Sequence, residues 1–139
     1  MRLFLDTSVL LAACGSQTGA SAEIFHRAPA NGWILVTTPY AIEEALRNLP
    51  DFPASASARW VRLRPSLLVM DDVLTLELPV VFAAGKDRPI LFSALAWADI
   101  LLTLDRGDFG GFMDKPFYGL LVLKPGLFLE RERSAGRLL

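Results

Sequence analysis

The sequence predicts an α/β fold, with a central, mostly parallel sheet of roughly four or five strands and helices on both faces. Three observations predict it. Short aliphatic runs of strand length, at residues 3–5, 67–70 and 120–123, alternate with stretches of helical character. These runs are apolar throughout rather than every second residue, as strands covered on both faces are. The first of these runs, Leu3-Phe4-Leu5-Asp6, and a further one, Ile100-Leu101-Leu102-Thr103-Leu104-Asp105, stop at a carboxylate. In an open parallel sheet ligands bind beyond the carboxyl ends of the strands, so both acids fall where such a sheet binds.

Each element has its own reason. Residues 3–5 form a buried strand, and a helix begins at or just after Ser8 and runs toward Ala13. A second helix covers residues 21–27 with Ser21 as N-cap. Residues 33–37, β-branched and aromatic, form a strand. Thr38-Pro39 opens the next helix, since Thr suits the cap and Pro the first helical position. Its buried stripe is expected to be Ile42, Ala45, Leu46 and Leu49, and Asn48-Leu49-Pro50 ends it. Residues 54–63 form a helix associated with Arg59, Arg62 and Arg64, and 67–70 a strand. Asp71-Asp72 leads into an apolar segment, 73–82, and the turn at 85–89 feeds a helix from Pro89 to about Trp97. A strand at 100–103, a loop at 107–116 and a last strand at 118–123 complete the chain.

The 139 residues suit a single domain, 1–139. The chain is 53% hydrophobic with 21% charged residues, and no apolar stretch approaches the roughly 20 residues of a membrane span. It therefore reads as soluble and cytoplasmic, with no membrane partner, and its apolar content suits burial against a partner chain. A net charge of −1 argues against a module that binds nucleic acid by phosphate neutralisation alone. It hardly bears on a metallonuclease, whose cations reverse the charge of an acidic site. The single cysteine, Cys14, excludes an internal disulfide and a cysteine zinc cluster, and reads as a buried small hydrophobe. The single histidine, His26, reads as an ordinary helix residue.

The chemistry therefore rests on acids. Asp6, the Glu43/Glu44 pair, Asp87, and Asp105 with Asp108 stand at strand ends, before a helix or on one. Mg²⁺ and Mn²⁺ favour such oxygen ligands, and clustered carboxylates raise one another's pKa unless a cation joins them. Asp71 and Asp72 read instead as loop or cap, Asp99 as a helix end, and Asp51, Glu77, Glu130 and Glu132 as solvated surface.

Taken in order, these segments resemble the motifs of PIN-domain ribonucleases. Leu3 to Leu10 is similar to the family's opening strand, Asp and hydroxyl residue, and the segment from Thr38 to Leu46 to its second motif with a helical Glu. Lys86-Asp87-Arg88-Pro89-Ile90-Leu91 resembles the third motif, Ile100 through Asp108-Phe109 the fourth, and Leu123 to Leu129 the usual end. The resemblance spans nearly the whole chain. Trp97, where the family often has a small residue, and Gly110-Gly111, which lengthen the loop after Asp108, depart from it.

The resemblance implies a PIN-like three-layer α/β/α sandwich acting as a metal-dependent endoribonuclease on single-stranded RNA. Asp6, Glu44, Asp87 and Asp105 would be the catalytic, metal-binding acids, with Asp108 a fifth metal ligand and Glu43 the alternative to Glu44. Mg²⁺ or Mn²⁺ would be the cofactor, and Ser8 and Thr103 would orient a carboxylate or water. Arg59, Arg62, Arg64, Arg88 and Arg106 are candidate phosphate contacts. Many small proteins of this family are toxins of toxin–antitoxin pairs, which implies an antitoxin protein and a homodimer as partners. Two other readings stand beside this one: a haloacid-dehalogenase-like phosphatase with Asp6 as nucleophile, and a non-catalytic PIN-like binding scaffold.

Overall fold

Strand β1 (Arg2–Leu5) lies at the centre of the molecule. Its Leu3, Phe4 and Leu5 are all fully buried although neighbouring side chains point to opposite faces, so both faces of the strand are covered. The computed structural model describes residues 1–75, 88–105, 109 and 116–139. Among these, β1 belongs to a six-stranded sheet of order β3-β2-β1-β4-β6-β5. Strands β2 (Ile34–Thr37), β3 (Leu67–Val69), β4 (Ile100–Leu102) and β6 (Leu120–Leu123) join it in parallel, and β5 (Pro116–Phe117) runs antiparallel to β6.

The described helices are α1 (Thr7–Gly15), α2 (Ala20–Asn31), α3 (Pro39–Asn48), α4 (Ser55–Leu63), α5 (Arg88–Trp97) and α6 (Pro125–Ser134). With the sheet they make the expected three-layer α/β/α architecture. The chain steps from β1 through β2 to β3, then returns to lay β4 on the other side of β1. The order therefore reverses between β1 and β4, and a crevice at the carboxyl ends of those two strands is where such sheets bind ligands.

Several elements differ from expectation, each for a physical reason. The sheet gains a sixth strand because Tyr118 and Gly119 have φ of 48° and 81°, the two left-handed residues of a tight hairpin turn. They leave the predicted last strand, which begins at Leu120. Helix α2 starts at Ala20 with Gly19 as its cap, so Ser21 lies inside it and is buried. Helix α6, unassigned from the sequence, docks Phe128 edge-on against Trp33, with ring centroids 4.9 Å apart. It also buries Glu132, expected at the surface, whose carboxylate accepts two hydrogen bonds from the Arg137 guanidinium at 2.8 and 3.0 Å.

On α3 the inward stripe is turned from the expected one: Ala41, Ala45 and Leu49 are buried, whereas Leu46 is exposed. Strand β4 stops at Leu102, so Thr103 and Asp105 follow the strand and Asp105 does not end it. The tail of the 73–82 segment, most of the 85–89 turn and most of the 107–116 loop lie outside the described residues. No described helix is long and apolar enough to cross a membrane.

Candidate functional site

The strand register brings Asp6 and Thr103 together. Leu5 pairs with Leu102, and the next step sends the Asp6 N–H to the Leu102 carbonyl at 3.1 Å. Thr103, the residue after β4, thus stands across from Asp6, and its hydroxyl donates to Asp6 Oδ2 at 2.6 Å. The Ser8 hydroxyl donates to the same oxygen at 3.0 Å. Asp6, the N-cap of α1 in extended conformation, accepts the Thr7 N–H, the first of the helix, at its Oδ1 at 2.6 Å.

Both hydroxyls are themselves oriented. Ser8 Oγ accepts the Leu104 N–H at 3.0 Å, and Thr103 Oγ1 accepts the Asp105 N–H at 3.0 Å. Each hydroxyl oxygen is thus engaged from the backbone while its single proton is directed at Asp6 Oδ2. The two residues that the sequence marked as orienting groups, Ser8 and Thr103, orient Asp6 in this structure. Asp105 joins the arrangement through its backbone, three residues beyond the strand end, and is half-buried.

Helix α3 supplies the second acid. The Thr7 hydroxyl donates to the Ala41 carbonyl at 3.3 Å, tying the first turn of α3 to α1. Glu44 lies three residues after Ala41 and beside Ala45, on the same inward face, and is half-buried. Glu43, one helical step away, is exposed. The Asp6 carboxylate is 5% exposed, and burial pushes its pKa above the ordinary Asp value. The Thr103 and Ser8 hydroxyls and the Thr7 N–H pull it down, and the negative charge of Glu44 pushes it up further. The charge of Glu44 is the smallest of these influences on Asp6.

Helix α3 is capped from elsewhere. The Thr38 hydroxyl makes no cap bond, and its oxygen is buried with no partner among the described residues. Instead Asp72 accepts the Tyr40 N–H at 3.1 Å, while the Asp71 carbonyl accepts the Trp97 indole N–H at 2.8 Å. Asp72 is the cap that the sequence suggested, on a helix 32 residues upstream. Asp99 binds the start of β1 by accepting the Arg2 N–H at 2.7 Å. Sequence reasoning missed Thr7, which both feeds Asp6 and holds α3; its place directly after the N-cap was the available signal.

The structure thus brings together Asp6, Glu44, Ser8, Thr103 and the backbone of Asp105. Asp87 and Asp108 lie outside the described residues. Among the described residues no group of three or more His, Cys, Asp or Glu side chains is close enough to hold a metal ion. Chemically, the donor set suits a hard cation: two carboxylates in mutual repulsion, one of them buried, at the ligand edge of a parallel sheet. His26 sits on the exposed side of α2, and Cys14 is buried in α1, its thiol pushed up by burial. Neither belongs to this site. The chain matches no protein-family model and no curated protein.

Proposed function

We propose that this chain is a PIN-like, metal-dependent endoribonuclease that hydrolyses phosphodiester bonds of single-stranded RNA. The observation that carries the reading is the Asp6 carboxylate, nearly fully buried at the topological switch point and coupled to Glu44. A buried carboxylate beside a second acid destabilises the fold unless a positive charge compensates it, so the arrangement makes sense as a cation site. Asp6 and Glu44 would be ligands of the ion; Asp105, which makes with them no described group of three acids close enough to hold one, enters as a ligand on the resemblance. Asp87 and Asp108, outside the described residues, enter on the resemblance alone. Bound Mg²⁺ or Mn²⁺ would supply an activated water and charge neutralisation at the phosphodiester.

The chain's own residues prepare the site. Thr103 and Ser8 aim two O–H donors at Asp6 Oδ2, favouring its ionised form and fixing its rotamer. Ser8 does not act as a nucleophile in this reading: its proton is directed at Asp6, and the one histidine lies on α2. The phosphatase alternative needs Asp6 itself to attack. Both Asp6 oxygens already accept hydrogen bonds and the residue is almost inaccessible, which favours a ligand over a nucleophile. A role as the toxin of a toxin–antitoxin pair, acting in the cytoplasm as a homodimer with an antitoxin partner, follows from the resemblance. The exposed Leu46, Val61 and Leu68 offer apolar surface for such contacts.

The test is cleavage of a labelled single-stranded RNA panel with Mg²⁺ or Mn²⁺, comparing wild type, Asp6→Asn and an EDTA control. Cleavage that needs metal and vanishes in the variant supports the nuclease. Folded protein that leaves RNA intact but releases phosphate from a phosphomonoester supports the phosphatase. Inactivity in both assays leaves the scaffold.

A further inference from the structure

Helix α1 borders a second feature at its other end. Asp6 caps its N-terminus, while its C-terminus opens on a cleft of about 450 Å³ between α1, α2 and α4. At 1.5 Å rise per residue the two ends of α1 lie about 13 Å apart, so the cleft is separate from the acid site. Its volume falls within the range of small-molecule sites.

The charge of its lining is one-sided. Arg59, Arg62 and His26 line the cleft, with Gln17 and Ser66 as further polar groups, and none of its described lining residues is an acid. Helices α1 and α4 carry no acid at all, and the one acid of α2, Glu23, is engaged by Arg27. These three helices therefore hold three arginines against one glutamate in a chain whose net charge is −1.

Among the described residues neither cleft arginine makes an ion pair. Arg59 donates from one guanidinium nitrogen to the Cys14 carbonyl, which holds it in place, and its Nε is buried with no partner among the described residues. Arg62 is exposed and makes no ion pair among the described residues. One arginine is thus fixed by the end of α1 and a second is free to close on an anion beside it. Phe25 and Ala13 give the cleft an apolar wall.

We propose that this cleft binds a phosphate-bearing ligand of nucleotide size, gripped by Arg59 and Arg62. Guanidinium groups bind phosphate oxygens through directed, paired N–H donors, which suits a compact polyvalent anion better than a dispersed acidic surface. The phosphate belongs to a free nucleotide or to a nucleotide of an RNA chain. The inference does not depend on the nuclease reading.

The experiment is an amide-resolved NMR titration of the protein in EDTA. The probes are inorganic phosphate, a 5′-mononucleotide, a short single-stranded RNA and a glutamate-rich peptide. Saturable shifts at Gln17, His26 and Arg62 with phosphate and mononucleotide are expected. Arg62→Glu should weaken this binding about tenfold or more, and Arg62→Lys less. Arg62 is exposed, so either variant should fold as wild type does. Saturation by RNA but not by mononucleotide assigns the phosphate to an RNA chain. Any of three results overturns the proposal: no saturable shifts with a phosphate probe, binding indifferent to Arg62→Glu, or tighter binding of the peptide.

Discussion

Thr103→Val is the most informative single change in this molecule. The replacement keeps the shape and removes the hydroxyl that donates to Asp6 Oδ2 at 2.6 Å and accepts the Asp105 N–H at 3.0 Å. A hydrogen bond to a charged group contributes about 1.5–3 kcal/mol, and a neutral one about 1 kcal/mol. The Asp105 N–H is only part-buried and can turn to water, so the second bond counts at the low end. The variant should lose about 2–4 kcal/mol, which at a urea slope of about 2 kcal/mol/M lowers the midpoint by about 1–2 M.

Thr103→Ser keeps the hydroxyl and loses a buried methyl group, for about 1 kcal/mol. Equilibrium urea unfolding of the three proteins measures both. The pH dependence adds a second check: a carboxylate accepts more strongly than a carboxylic acid, so the Val penalty should grow as pH rises through the Asp6 titration. The reasoning fails if Thr103→Val unfolds within about 0.5 kcal/mol of wild type, or if Thr103→Ser is as damaging as Thr103→Val.

Because the Asp6 pKa is raised in the native state, its stabilising contribution is greatest below 3.8 and is lost as pH rises through the raised pKa. Urea midpoints across pH should therefore show Asp6→Asn gaining on wild type as pH rises, and Mg²⁺ or Mn²⁺ should restore wild type alone. Glu44→Gln should lower metal-dependent RNA cleavage by about 100-fold, while Glu43→Gln, on the exposed face, should change it less than about twofold in the same assay. Asp72→Ala should cost about 1 kcal/mol through loss of the α3 cap, whereas Thr38→Val, at a hydroxyl without a cap bond, should cost nothing or stabilise, as thermal unfolding will report.

The residues that were legible in the sequence are those whose environment is set by their own neighbours. The run Leu3-Phe4-Leu5 needs no partner to be read as a doubly covered strand, and Asp6 follows it by chain connectivity. Ser8 is legible for the same reason, two residues from its acceptor. What was hidden depended on register. The resemblance names Thr103 as an orienting group, but that its acceptor is Asp6 follows only from β4 pairing Leu102 with Leu5, across 97 residues. Which of Glu43 and Glu44 is turned inward was hidden because Ala41 and Ala45, rather than Leu46, are the buried residues of α3, so Glu44 is half-buried and Glu43 exposed. Helix α6 was hidden because its charged residues mask a short apolar face, one that includes Phe128 and Leu129.

One consequence of the site's wiring reaches beyond Asp6. The two hydroxyls that grip its carboxylate are held in turn by the N–H groups of Leu104 and Asp105, consecutive residues of the segment after β4. The charge on Asp6 strengthens its bonds from Ser8 and Thr103, and polarised hydroxyls are in turn better acceptors for those N–H groups. Protonating Asp6 therefore weakens four linked bonds at once and loosens the attachment of the segment that carries Asp105. Two acids 99 positions apart in sequence are linked this way, because the same Thr103 oxygen serves both. A group that stabilises the ionised form of Asp6 would also order the backbone at Asp105, and so would assemble the second acid as it engages the first.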